Sequence, residues 1–209
     1  CALPISVSLQ KGQKVDLTKG NAGLSRIVVG LGWDEAKPEK KGGLLGGIFG
    51  GNKNAESAID CDAMAFACDE SGKITATSDV VFFNNLTHPS GAIQHMGDNL
   101  TGAGEGDDEQ IIVNLATVPS QYSKIVFTVS IYQARQRQQH FGKIENAFIR
   151  IVDAATNQEL CKYNLSDNYN NMTSVIFGEV YRHNGEWKFN AIGTGTTDDG
   201  VAEMARRFQ

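Results

Sequence analysis

The chain has 209 residues, of which 41% are hydrophobic and 21% charged, an ordinary composition for one soluble domain with a substantial core. No apolar run approaches the ~18 residues of a membrane-spanning helix, and the net charge of −5 offers no basic face for nucleic acid. That charge is uneven: from Asn54 to Ser123 eleven carboxylates meet a single base, Lys73, and the stretch between Lys73 and Lys124 holds six carboxylates with no Lys or Arg. Uncompensated negative charge of that density repels itself once a fold gathers it, so a bound cation is expected.

In chain order, short β-branched and aromatic runs alternate with Gly, Asn, Asp and Pro. The predicted strands are Ile5–Leu9, Ser25–Leu31, Ala63–Cys68, Val80–Phe83, Gln110–Leu115, Lys124–Ile131, Ala147–Asp153, Glu159–Leu165, Ser174–Arg182 and Glu186–Ile192. Within Lys124–Ile131 both alternating sets are apolar or small, which predicts a strand covered on both faces. Asn184-Gly185 marks a hairpin turn between the last two strands. A short helical turn is expected near Pro119–Tyr122, and a C-terminal helix carries Val201, Met204, Ala205 and Phe208 at helical spacing, with Asp198 or Asp199 as its cap. The whole chain, 1–209, therefore reads as a single all-β domain, a two-sheet β-sandwich with short helical turns and a C-terminal helix.

Residues 36–57 stand apart as a flexible insertion rich in Gly and Lys, within which four lysines flank Leu44, Leu45, Ile48 and Phe49. That basic and apolar mixture also suits an anionic lipid surface. The four cysteines, Cys1, Cys61, Cys68 and Cys161, show no zinc spacing and read as thiols in a reducing compartment. The histidines, His88, His95, His140 and His183, are scattered, and each reads as a surface or core-edge residue.

The chemistry concentrates in Gly97–Glu109, GDNLTGAGEGDDE, which supplies Asp98, Asn99, Glu105, Asp107, Asp108 and Glu109. Its four glycines let the backbone curl and turn carbonyls inward. Calcium takes six to eight oxygens from carboxylates, amides and carbonyls in flexible geometry, whereas the loop holds no His or Cys to favour zinc, copper or iron. Magnesium retains more of its waters and fits less well. Asp60 and Asp62 flank Cys61 at strand spacing, which puts both carboxylates on one face. Asp34, after Gly32-Trp33, and Asn85, after Val80–Phe83, add oxygens at loop edges. The D-x-D-x-D-G frame of an EF-hand is missing, as are a G-x-S-x-G elbow, H-E-x-x-H and a Walker A sequence.

Val7–Lys19 (VSLQKGQKVDLTK), Ile27–Asp34 (IVVGLGWD), the Asp60/Asp62 pair, VFFNN at Val81–Asn85, the acidic loop, Ile125–Tyr132 (IVFTVSIY), Phe141–Asp153 (FGKIENAFIRIVD) and Phe177–Gly193 (FGEVYRHNGEWKFNAIG) resemble the TerD family, the tellurium-resistance and general stress proteins of bacteria. The resemblance runs collinearly from about Val7 to Phe208. It implies a β-sandwich that binds calcium, usually two ions, through Asp60 and Asp62 and through Asp98, Asn99, Asp107, Asp108 and Glu109, with Asp34 after the G-W. Glu105 falls where the motif varies. It further implies a non-enzymatic cytoplasmic scaffold associating with Ter-type relatives and a membrane partner, and it carries over no catalytic residue. Two departures from the family pattern stand out: Cys61 and Met64 around the acidic pair, and the long insertion after Asp34. The other readings open to the residues are a metal-dependent hydrolase or nucleotide-processing enzyme and a peripheral membrane module acting through Leu44–Phe49.

Overall fold

The computed structural model describes residues 6–21, 23–36, 58–97 and 106–209. Two six-stranded sheets pack face to face. The first contains β1 (Val7–Leu9), β3 (Arg26–Glu35), β6 (Ile93–His95), β7 (Glu109–Asn114), β9 (Ile144–Asp153) and β10 (Gln158–Asn164), in the order β1-β10-β9-β3-β7-β6. The second contains β2 (Lys14–Asp16), β4 (Cys61–Cys68), β5 (Val80–Val81), β8 (Lys124–Ile131), β11 (Ser174–His183) and β12 (Glu186–Thr196), in the order β2-β12-β11-β8-β4-β5. Among the described strands, β1 runs parallel to β10 and every other pairing is antiparallel.

Alternation along the strands builds the core between the sheets. Ile27, Val29 and Leu31 of β3 and Ile149 and Ile151 of β9 face Phe127 and Val129 of β8, Phe177 of β11 and Phe189 of β12, all fully buried. The strand Lys124–Ile131 is buried on both faces, as its sequence requires, because its outward Val126 lies under a second apolar cluster. That cluster covers the outer face of the second sheet, where Met64, Phe66, Cys68 and Val80 lie beneath the C-terminal helix α2 (Val201–Arg206) and the residues that follow it. Phe208 stacks on Phe66 with ring centroids 4.6 Å apart, and the Phe208 carbonyl accepts from Ile74 N at 2.6 Å. Met204 is wholly buried at the centre of this contact. Met204→Ala should therefore cost about 2–4 kcal/mol in urea unfolding, with an unchanged β-sheet signal.

Several expectations need correction. Val80–Phe83 shortens to β5, because Phe82 turns away to bridge Asn85. The Pro119–Tyr122 segment closes one turn, Tyr122 N to Pro119 O at 3.1 Å, without becoming a helix. Neither Asp198 nor Asp199 caps α2: the cap position is Gly200, at φ +87°, while Asp198 instead pairs with Arg207 and accepts from Thr196 Oγ1. The strands β2 and β6 and the short helix α1 (Ala134–Arg137) were not expected. The Asn184-Gly185 turn matches its prediction, with φ of +53° and +81° at the two positions, as a primed hairpin turn requires. The insertion at 36–57 lies almost entirely outside the described residues, with only Ala36 described, its N–H donating to the Lys143 carbonyl at 2.8 Å.

Candidate metal centre at one end of the sandwich

The antiparallel topology brings the end of β3 and the beginnings of β4, β7 and β9 to one end of the sandwich. Asp34, Asp60, Asp62, Asp107, Asp108 and Glu109, far apart in sequence, thus share that end. Asp98, Asn99 and Glu105 lie outside the described residues.

The described carboxylates have different surroundings. Asp108 N donates to the Leu31 carbonyl at 2.8 Å, while its Oδ2 accepts from Trp33 N at 2.7 Å, which pins the end of the acidic loop to β3. Burial pushes the Asp108 carboxyl above its ordinary range, and the charges of Asp34, Asp107 and Glu109 push it further. Asp34 is exposed and accepts from Asn146 Nδ2 at 2.8 Å. Cys61 and Ala63 of β4 point into the core, leaving Asp62 on the outward face, half-buried, with Asp60 exposed just before the strand. Burial drives the Cys61 thiol well above its usual range, and Asp62, Glu109, Asp60 and Asp108 all add to that shift. These four carboxylates therefore surround the start of β4.

Asp107 has a different setting. Its Oδ1 accepts from Arg150 Nε at 2.7 Å and its Oδ2 from Arg150 Nη2 at 3.0 Å and from Gln110 Nε2 at 2.9 Å. This bidentate pair lies across β3 directly over Gly30, where a Cβ would fall 2.3 Å from the carboxylate. Two positions on, a Cβ at Gly32 would fall 2.4 Å from the Phe148 ring. The G-x-G of the GLGWD string thus clears the outer face of the sheet for an ion pair and an aromatic ring.

Glu109 joins the two sheets. β5 pairs with β4 only at Ala65 and Phe66, so Ala63 lies beyond the end of its neighbour, and its N–H donates to Glu109 Oε2 from the opposite sheet. His95 Nε2 stands 3.5 Å from the same oxygen. His95 Nδ1 accepts from Gly97 N at 3.0 Å, and its buried Nε2 makes no hydrogen bond among the described residues. His95 and His88 are both buried against carboxylates rather than at the surface or core edge. Asn85 stands at the edge strand, where its Nδ2 donates to the carbonyls of Val80 at 2.7 Å and Ser78 at 3.4 Å.

Asp34, Asp60, Asp62 and Asp108 offer carboxylate oxygens, the ligand chemistry of a hard cation. The scaffold they stand on has known counterparts. A family model, the TerD domain, matches residues 5–208. The chain belongs to the TerD family. It is 49% identical over 204 residues to "Stress response protein SCP2" of Bacillus subtilis, covering 98% of this chain and 100% of that protein. It is 41% identical over 204 residues to "Tellurium resistance protein TerD" of Serratia marcescens, covering 98% of this chain and 97% of that one. The crystal structure of a TerD homologue from Streptomyces coelicolor shares the fold, with a TM-score of 0.60 at 21% identity over 88% of this chain and 98% of that one. As a TerD-family protein the chain belongs with tellurium-resistance and stress-response proteins. Among its described residues no helix is long and apolar enough to cross a membrane.

Proposed function

We propose that the chain is a calcium-binding member of the TerD family that acts by binding partners rather than by turnover. The observation that carries this reading is the meeting of three separate acidic segments, at Asp34, at Asp60 and Asp62, and at Asp108, on one end of a rigid sandwich. Of these, Asp108 lies in the stretch between Lys73 and Lys124, which carries no Lys or Arg. The raised Asp108 carboxyl fits a cluster that is uncomfortable without a positive ion.

Among the described residues no three metal-type side chains gather closely enough to hold an ion by themselves, so Asp98, Asn99 and Glu105 would complete the shell, in one or two sites. Asp107, held by Arg150, and Glu109, which accepts from Ala63 N, anchor the start of β7 beside them. Bound calcium would supply charge neutralisation and lock the loop ends together. The locked end then presents a defined surface to related Ter-type proteins and a membrane partner, in the service of tolerance to tellurite and other stress.

Thermal unfolding with added calcium tests this. Stability should rise as RT ln(1 + [Ca]/Kd), about 2.7 kcal/mol at a hundredfold excess over Kd, and return to its starting value with chelator. Asp62→Asn and Asp108→Asn should each weaken binding by about 1–3 kcal/mol, the scale of a lost charged contact. Neither heat nor stabilisation at millimolar calcium would remove the proposal.

A further inference from the structure

Beside the acidic end, a cavity of about 250 Å³ opens between the start of β9 and the loop joining β10 to β11. Its apolar wall is Ile144, Ala147 and Leu165, and its polar rim is Asn146, Asn168, Asn170 and Asp167. We propose that this cavity binds a neutral polyhydroxylated small molecule the size of a single sugar ring.

The rim chemistry selects the ligand class. Three carboxamides carry both acceptor oxygens and N–H donors, and those left over from the bonds within the rim match hydroxyl groups, which also do both. The single carboxylate, Asp167, is already paired with Lys11, so the rim has no spare charge with which to hold a phosphate or a divalent ion. A size just under the roughly 300–1,000 Å³ of drug-sized pockets matches a small ring, whose C–H face suits the apolar wall.

The rim is also held in place before any ligand arrives. Asn168 Oδ1 accepts from Asn170 N at 2.9 Å, which fixes the loop in a local turn. Asn146 sits at φ +53°, and its Nδ2 donates to Asp34 Oδ2 at 2.8 Å. Asn170 lies across a bare backbone position, since a Cβ at Gly142 would fall 1.9 Å from its Oδ1. Gly142 N in turn donates to His140 Nδ1 at 3.1 Å. Gly142 thus lacks a side chain where one would meet Asn170 of this rim and His140, rather than the acidic loop. Pre-set polar groups of this kind lower the ordering cost of binding.

The test is a two-dimensional amide NMR titration of the full chain with D-ribose, D-glucose and glycerol, run both with calcium and with chelator. Sodium phosphate serves as the charged control. The side-chain amide signals of Asn168 and Asn170 should shift saturably with at least one polyol at millimolar concentration, in both calcium conditions. Asn146 shares Asp34 with the metal centre, so the affinity can differ between the two conditions, but saturable binding in chelator separates this site from a calcium-borne one. Asn168→Asp keeps the acceptor for Asn170 N and so keeps the turn, but it removes the Nδ2 donor and adds a charge. It should weaken the polyol by about fivefold or more with an unchanged melting temperature. The absence of any saturable shift up to tens of millimolar, shifts with phosphate alone, or equal affinity in Asn168→Asp would each overturn the assignment.

Discussion

Gly30→Ala is expected to lower the unfolding free energy by about 2–4 kcal/mol, although it adds one methyl group to a strand. The added Cβ would lie 2.3 Å from the Asp107 Cγ and from both of its oxygens, so the carboxylate has to leave. The Asp107 side chain is only 1% exposed, and Arg150 supplies its bidentate partner. Displacing one member leaves a charge poorly solvated, and breaking such a buried pair costs about 3–5 kcal/mol. Arg150 is 31% exposed, and water screens that half of the interaction, which lowers the expectation. A double-mutant cycle identifies the cause. In Asp107→Ala the clash is already gone, so adding Gly30→Ala should cost at least about 1 kcal/mol less than it does in the parent chain. Equal costs in the two backgrounds, read from urea unfolding, would mean that the glycine serves another purpose.

The same ion pair shows where the sequence was legible and where it was not. The long strands β3, β8, β9, β11 and β12 were legible from their apolar runs, because each lays one face on a single apolar core. The strands β2 and β6 escape the same reading: each has three residues, too few for a period to appear. Helix α1 is framed by Gln133 and Gln138 at φ +51° and +53°, left-handed positions that glutamine does not advertise. At the acidic end, the carboxylates themselves were plain, but their counter-groups were not. Arg150 lies 43 positions from Asp107, and the N–H that engages Glu109 belongs to the backbone of the opposite sheet. One signal was available: glycines at alternate positions within an apolar strand announce a close approach by something else, and Gly30 and Gly32 are of that kind. The surplus of negative charge reads as one cluster in the sequence, whereas the fold divides it into an outward-facing set and two braced carboxylates.

Asp79→Ala is expected to cost about 3–5 kcal/mol and to remove the part of the acid sensitivity that develops below about pH 4. Asp79 is 2% exposed, in the short 3-10 turn that precedes β5. Its Oδ1 accepts from Tyr122 Oη at 2.7 Å, and its Oδ2 accepts from Thr75 N, Thr75 Oγ1 and Ala76 N at 2.7 to 2.9 Å. His88 Nε2 stands 3.4 Å from Oδ1, and His88 Nδ1 is taken by Ser90. Burial alone would raise the Asp79 carboxyl, but the hydrogen bonds from Tyr122, Thr75 and Ala76 outweigh it and hold the group below its ordinary value. Burial also pushes the His88 imidazole below its ordinary value, in spite of the neighbouring carboxylate. Both shifts have the same sign for stability. Below about pH 6.5 the unfolded chain protonates its histidine before the folded chain does, and stability falls until the folded His88 also titrates. Asp79 contributes in full above about pH 3.9, the unfolded value, and its contribution is lost as pH falls through the lower folded value. Unfolding free energies of the parent chain should therefore decline from about pH 6.5 downward and more steeply below about pH 4. In Asp79→Asn, which keeps the shape but not the charge, the difference from the parent should be greatest above pH 4 and vanish in stronger acid. His88→Gln should flatten the upper part of the decline alone. A parent-minus-Asp79→Asn difference that stays constant down to pH 2 would mean that the buried carboxylate is not the group being titrated.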